Sequence, residues 1–169
     1  MARSFTLALA ILAFLSGASV AHPASPDSAL ADRIEVFKAE RRLVLLKDGQ
    51  PLKTYRVALG ADPVGAKRQQ GDHRTPEGRY IIDFHKPDSV FHLALHISYP
   101  NEEDRRQAAR RGASPGGSIM IHGLPDGLAW VGRLHARRDW TDGCIAVTDS
   151  EIEEIARAVP DGTVIVIYP

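Results

Sequence analysis

IMIHGLPDGLAWVGRLHARRDWTDGCIAVTDSEI, residues 119–152, passes from a short apolar run through a polar segment to a glycine-flanked cysteine, and then to a capped amphipathic pattern. Ser118 to Ile121 leaves the turn GASPGG as an apolar strand and presents His122 at its end. A strand end holds an imidazole rigidly, and Gly123 lets backbone or a substrate come close. In Thr141-Asp142-Gly143-Cys144 the glycine permits an unusual turn. The N–H groups of Gly143 and Cys144 can then point at an oxygen that becomes negative during acyl transfer. Thr148-Asp149-Ser150-Glu151 has capping-box spacing ahead of Ile152, Ile155 and Val159, which predicts a short amphipathic helix.

Upstream, Arg33 to Lys38 and Arg42 to Lys47 are short β-branched or alternating apolar runs, and Asp48-Gly49 separates the second from Pro51 to Leu59. A D-G pair between such runs is a strong hairpin signal. Gly60 to Pro76 is polar and reads as a surface loop, followed by strands from Gly78 to about His85 and from Phe91 to Tyr99. Asn101 can cap a helix through EEDRRQAARR, whose acids first and arginines last match the macrodipole, with Gly112 as its stop. Downstream, Asp161-Gly162 turns into TVIVIY, a buried closing strand. Strands outnumber helices and short turns join most neighbours. The expected fold is mainly β, an antiparallel sandwich or barrel-like domain over residues 33–169 with short helical insertions.

The 169 residues suffice for one core. Lys+Arg and Asp+Glu number 21 each, so the chain lacks the basic field of a nucleic-acid binder and no nucleic-acid partner is expected. Residues 1–21 place Arg3 before an apolar run from Phe5 to Leu15 and end in small residues, the build of a secretory signal peptide cleaved after Ala21. The run is too short to span a bilayer comfortably, so no stable membrane insertion is expected after cleavage. Residues 22–32 carry two prolines and no periodicity and read as a linker. An exported protein meets an oxidising compartment, and Cys144 is the single cysteine. An inert buried thiol, an intermolecular bridge and a reactive nucleophile all stay open on that ground.

An imidazole can take the thiol proton, and its positive charge then stabilises the thiolate. His122 lies 22 positions before Cys144, so any pairing is through space, and His135 within GRLHARRDW is a rival base without a strand behind it. IHG at 121–123 followed by TDGCIAVT at 141–148 resembles the YkuD family of L,D-transpeptidases, whose signature joins a His-Gly element to a later Ser/Thr-x-Gly-Cys-aliphatic element. GDHRTPEGRYIID at 71–83 and FHLALHISYPN at 91–101 extend the resemblance to about Ile34–Pro169.

The resemblance implies Cys144 as nucleophile, His122 as general base and the Gly123 carbonyl as the group that orients the imidazole. It implies an exported location, such as a periplasm or cell envelope, and peptidoglycan stem peptides as substrate. Cys144 would attack the carbonyl of the third stem residue, a diamino acid at its L-centre, and release the terminal D-alanine. An amine from a second stem or a wall-anchored protein, or else water, would resolve the thioester. No metal or organic cofactor is needed. An L,D-carboxypeptidase or other hydrolase uses the same residues, whereas a non-catalytic peptidoglycan-binding module would tolerate loss of Cys144. Many family members have histidine where Asp142 stands and arginine where Ala146 stands.

Arg133, Arg137 and Arg138 form a basic cluster that can hold stem-peptide carboxylates, while Arg105, Arg106, Arg110 and Arg111 read as a solvated face. Asp142 is open to three readings: a turn residue, a partner orienting a histidine, or a site for a substrate ammonium. Trp130 and Trp140 bracket the first cluster and either line a groove or pack in the core. His92 and His96 share a strand face but no third ligand follows at convincing spacing, so no metal is expected. His73 is assigned only the shaping of its loop.

Overall fold

The computed structural model describes residues 29–169; the signal peptide expected at 1–21 and the linker as far as residue 28 lie outside them. Asp48 and Gly49 both take left-handed φ angles, 50° and 74°, as a two-residue hairpin turn of the primed kind requires. They join β2 (Arg42–Lys47) to β3 (Gln50–Arg56) in antiparallel register. β1 (Arg33–Phe37) pairs antiparallel with β2 on one side and parallel with the closing strand, β8 (Val164–Tyr168), on the other. β4 (Gly78–Ser89) pairs through Gly78–Ile81 with β8 and from Ile82 onward with β5 (His92–Ile97), the latter ladder shifting register between Ile82 and Phe84. β6 (Met120–His122) follows β5, and the two-residue β7 (Ile145–Ala146) lies parallel to β6.

The sheet order is therefore β3-β2-β1-β8-β4-β5-β6-β7. The domain is mainly β with short helical insertions, and the β1–β8 and β6–β7 pairs make its sheet mixed rather than purely antiparallel. The strand expected over Pro51–Leu59 ends at Arg56 because the chain then peels away to the far edge of the sheet, where Ala58 bridges Ala146 and Gly60 bridges Thr141. The two edges thus meet in a barrel-like closure at the cysteine turn. β4 runs past His85 to Ser89, and Ala129–Arg137 forms a 3-10 segment kinked at Gly132 where the sequence showed only a polar stretch.

α1 (Glu102–Arg110) and α2 (Asp149–Ala158) both start in capping boxes, Asn101 with Asp104 and Thr148 with Glu151. α2 presents Ile152 and Ile155, fully buried, to the core formed by Ile34, Leu43, Ile97, Ile121 and Ile165. Each such burial contributes about 1.5–3 kcal/mol. At the linker's end, Ala31 donates its N–H to the Ala158 carbonyl and is buried against the same core.

The Gly60–Pro76 loop is fastened by one charge. Lys38 is buried, and its Nζ donates to the Gly65 carbonyl (2.6 Å), the Thr75 carbonyl (3.0 Å) and Glu77 Oε1 (2.8 Å). All three ammonium protons are used, so the loop is tied to the end of β1. Lys38→Met keeps the apolar stem but strands a carboxylate and two carbonyls, and should cost about 3 kcal/mol. Urea unfolding checks this, and an unchanged midpoint with an unchanged slope would refute the clamp.

Candidate active site

The parallel pairing of β6 with β7 sets Ile121 opposite Ile145 and His122 opposite Ala146. Cys144, one residue before β7, continues that register opposite Met120. Side chains two residues apart share a face of a strand, so His122 and Cys144 look out on the same side of neighbouring strands, two positions apart. His122 is buried, packed at a tilt against Phe91 with 4.4 Å between ring centroids and met edge-on by Trp140 at 5.8 Å. Its Nδ1 lies 2.7 Å from the Gly123 carbonyl. A carbonyl can only accept, so Nδ1 carries the hydrogen and Nε2 is left with its lone pair.

Burial depresses the His122 pKa below the ordinary histidine value, against a smaller upward effect of the Gly123 bond, and holds the ring neutral. Burial also pushes the Cys144 thiol up; the Asp142 charge adds to that, while the Met120 N–H and the Lys67 ammonium act the other way. The half-buried sulfur lies 3.6 Å from the Ser118 carbonyl, which accepts its proton. The resting groups are thus a neutral thiol and a neutral imidazole on the same side of neighbouring segments. A thiolate–imidazolium pair is disfavoured because neither charge is solvated there.

Thr141 braces the cysteine turn: its hydroxyl donates to the Cys144 carbonyl (2.7 Å) and accepts from the Gly143 N–H (3.1 Å). The Gly143 donor expected for an oxyanion is therefore already engaged by that hydroxyl. Gly143 has φ 123°, and a Cβ on it would stand 2.5 Å from the Arg74 carbonyl, so only glycine fits. At Gly123 the space a side chain would take is occupied by Asp149 and the Phe91 carbonyl rather than left to a substrate.

Asp142 orients a histidine, and that histidine is His73, whose Nδ1 lies 2.7 Å from Asp142 Oδ1. Sequence reasoning gave His73 no chemistry, because 69 positions separate the two residues. The sole available clue was the carboxylate at a position where many family members carry an imidazole.

The arginine cluster does not form one surface with Cys144. Arg133 is highly exposed, faces Glu151 at 3.7 Å and lines a cavity with Lys53 and Tyr55. Arg137 and Arg138 line another with Arg41 and Asp139. The cavity that contains Asp142, about 290 Å³, is lined instead by His73, Lys67, Gln70 and glycines 71, 116 and 117. His135 is buried in an apolar cavity with Leu124, Leu128 and Trp140, and its ring nitrogens have no hydrogen-bond partner among the described residues. Trp140 covers His122 while Trp130 is exposed. His92 and His96 each have their own carboxylate, Glu153 and Asp83, and Arg106 pairs with Glu102 and Glu103 along α1.

A neutral imidazole on the same face as a thiol, with a second imidazole held beside the cysteine turn, is an arrangement that nucleophilic acyl transfer can use. The family model of the YkuD L,D-transpeptidase catalytic domain matches residues 31–167. The Escherichia coli K12 protein named "Putative L,D-transpeptidase YafK" is 33% identical over 132 residues, which are 75% of this chain and 46% of that protein. Among solved structures, the helical cell shape determining protein Pgp2 from Campylobacter jejuni superposes with a TM-score of 0.61 at 24% identity, covering 83% of this chain and 50% of its own. Bdellovibrio bacteriovorus Bd1075 gives 0.55 at 26% identity over 85% of this chain and 53% of its own. The chain thus spans about half the length of the relatives it matches, and over that span it belongs to the YkuD L,D-transpeptidase catalytic domain family.

Proposed function

We propose that this chain is an exported cysteine acyltransferase acting on peptidoglycan stem peptides in the cell envelope. The observation that carries the reading is the His122 imidazole, neutral, with its tautomer set by the Gly123 carbonyl and facing the same side as Cys144. As the thiol attacks the carbonyl of the third stem residue, its proton passes to His122 Nε2 and the Sγ–C bond forms. His122 then gives the proton to the departing nitrogen, releasing the terminal D-alanine. The oxyanion is met by the Cys144 N–H, joined by Gly143 if Thr141 Oγ1 exchanges its bond. An amine from a second stem or a wall-anchored protein resolves the thioester in a transferase, water in a carboxypeptidase. Arg133, Arg137 and Arg138 lie in other cavities, so the cation nearest this chemistry is Lys67.

Cys144→Ala should abolish turnover of a stem tetrapeptide and the single covalent adduct that a carbapenem forms on the wild type. Intact-mass spectrometry checks both, and turnover or an adduct in the variant removes the nucleophile. Supplying a donor with and without an amine then separates transfer from hydrolysis, since only a transferase partitions its thioester to the amine.

The direction of the two pKa shifts fixes the pH profile. Protonated His122 cannot accept the thiol proton, and its folded pKa lies below the ordinary value of about 6.5, so kcat/KM should fall only as pH drops below that value. Iodoacetamide, which reads the thiolate, should label Cys144 with a midpoint above the ordinary thiol value of about 8.5. A labelling midpoint well below neutrality would show a preformed ion pair and refute the neutral ground state.

A further inference from the structure

His73 is held as an active-site histidine is held. Its backbone takes φ 52°, a left-handed conformation that a residue with a side chain keeps only when its surroundings impose it. The His73 carbonyl accepts from the Asp62 N–H and occupies the space a Cβ on Gly60 would need. Arg74 grips Asp62 through Nε and Nη2. The next residue, Thr75, accepts from the Gly60 N–H through its hydroxyl and from Lys38 through its carbonyl. The loop backbone then lies directly on the cysteine turn, Arg74 O against Gly143. On this platform Nδ1 meets a carboxylate that can only accept, so Nδ1 carries the hydrogen and Nε2 has its lone pair free for a base's work.

The dyad borders the cavity of about 290 Å³ whose other wall is Gly116 and Gly117, just before the Ser118 carbonyl that contacts Sγ. One wall thus carries Asp142, two positions before the thiol, and the other leads into Ser118, whose carbonyl the thiol contacts. His73 and Asp142 are open to solvent, with side chains 54% and 90% exposed, whereas His122 lies under Phe91 and Trp140.

The geometry points to a division of labour that rests on the acyl-transfer reading above: His73, oriented by Asp142, is the base for the second half-reaction, in which an incoming amine or water enters through this cavity and resolves the Cys144 thioester. The nucleophile's N–H or O–H proton passes to His73 Nε2, its new bond to the acyl carbon forms, and the C–S bond breaks. The departing Sγ recovers a proton as His73 returns its own, so the enzyme ends as thiol and neutral imidazoles. Asp142 is a positioning residue; it also accounts for the carboxylate standing where many family members have histidine, since here the imidazole comes from the opposite loop.

The test is single-turnover reaction of the full mature chain with a stem tetrapeptide, in water alone and with glycinamide as acceptor, followed by intact mass. His73→Gln should slow decay of the acyl-enzyme by about a hundredfold or more while its formation proceeds, so the acylated protein accumulates. Asp142→Asn, which leaves His73 in place, should slow decay by a smaller factor. Formation and decay falling together in both variants would mark a structural role and overturn the proposal, as would decay at the wild-type rate. Absence of any acyl-enzyme on wild-type Cys144 would instead sink the acyl-transfer reading, and this one with it.

Discussion

Everything at the site depends on how closely two loop carbonyls approach two glycines. The His73 carbonyl sits where Gly60 has no side chain, and the Arg74 carbonyl sits where Gly143 has none. Any Cβ at either position would push the Gly60–Pro76 loop off the cysteine turn. That loop has little apolar material of its own, so its position is fixed by Lys38, just after β1, while Thr75 to Gly60 and Arg74 to Asp62 tie its two ends together. The cost of burying the Lys38 charge is offset by three acceptors, one of them a carboxylate.

The same low-dielectric surroundings set the chemistry. An exposed thiol beside an exposed imidazole can rest as an ion pair, but burial disfavours charge on both partners here. On the proposed acyl-transfer reading, charge separation is deferred to the moment when a substrate carbonyl is in reach and the developing oxyanion can be met by fixed donors. A neutral thiol is also a poorer target for adventitious oxidation than a thiolate. For a lone cysteine in a chain read as exported, that restraint is useful.

The hairpin at Asp48-Gly49, both helix caps and the closing strand were legible because each rests on a local rule: turn chemistry, capping spacing or an apolar run. The β6 strand with His122 at its end, and the cysteine turn, were legible for the same reason. The parallel pairs β1–β8 and β6–β7 were not, since pairing direction is set by partners far apart in sequence. The 3-10 segment at Ala129–Arg137 was missed because Gly132, Arg133 and Arg137 interrupt its apolar residues, Trp130, Val131 and Leu134. The arginines that precede the cysteine in sequence went to other surfaces, while His73, far away, arrived at Asp142, two positions before it. Proximity along the chain is a weak guide once a β-sheet folds back on itself.

The closure of the sheet at Ala58–Ala146 and Gly60–Thr141 is made by two isolated bridges, whereas β1 and β8 share a five-residue ladder. The seam is nevertheless firm, since five backbone hydrogen bonds cross it and Ala58, Leu59 and Ala146 are fully buried there. Cys144 lies on the seam. The reactive turn is therefore fixed by contacts between distant parts of the chain, and the site takes its shape only once the sheet has closed.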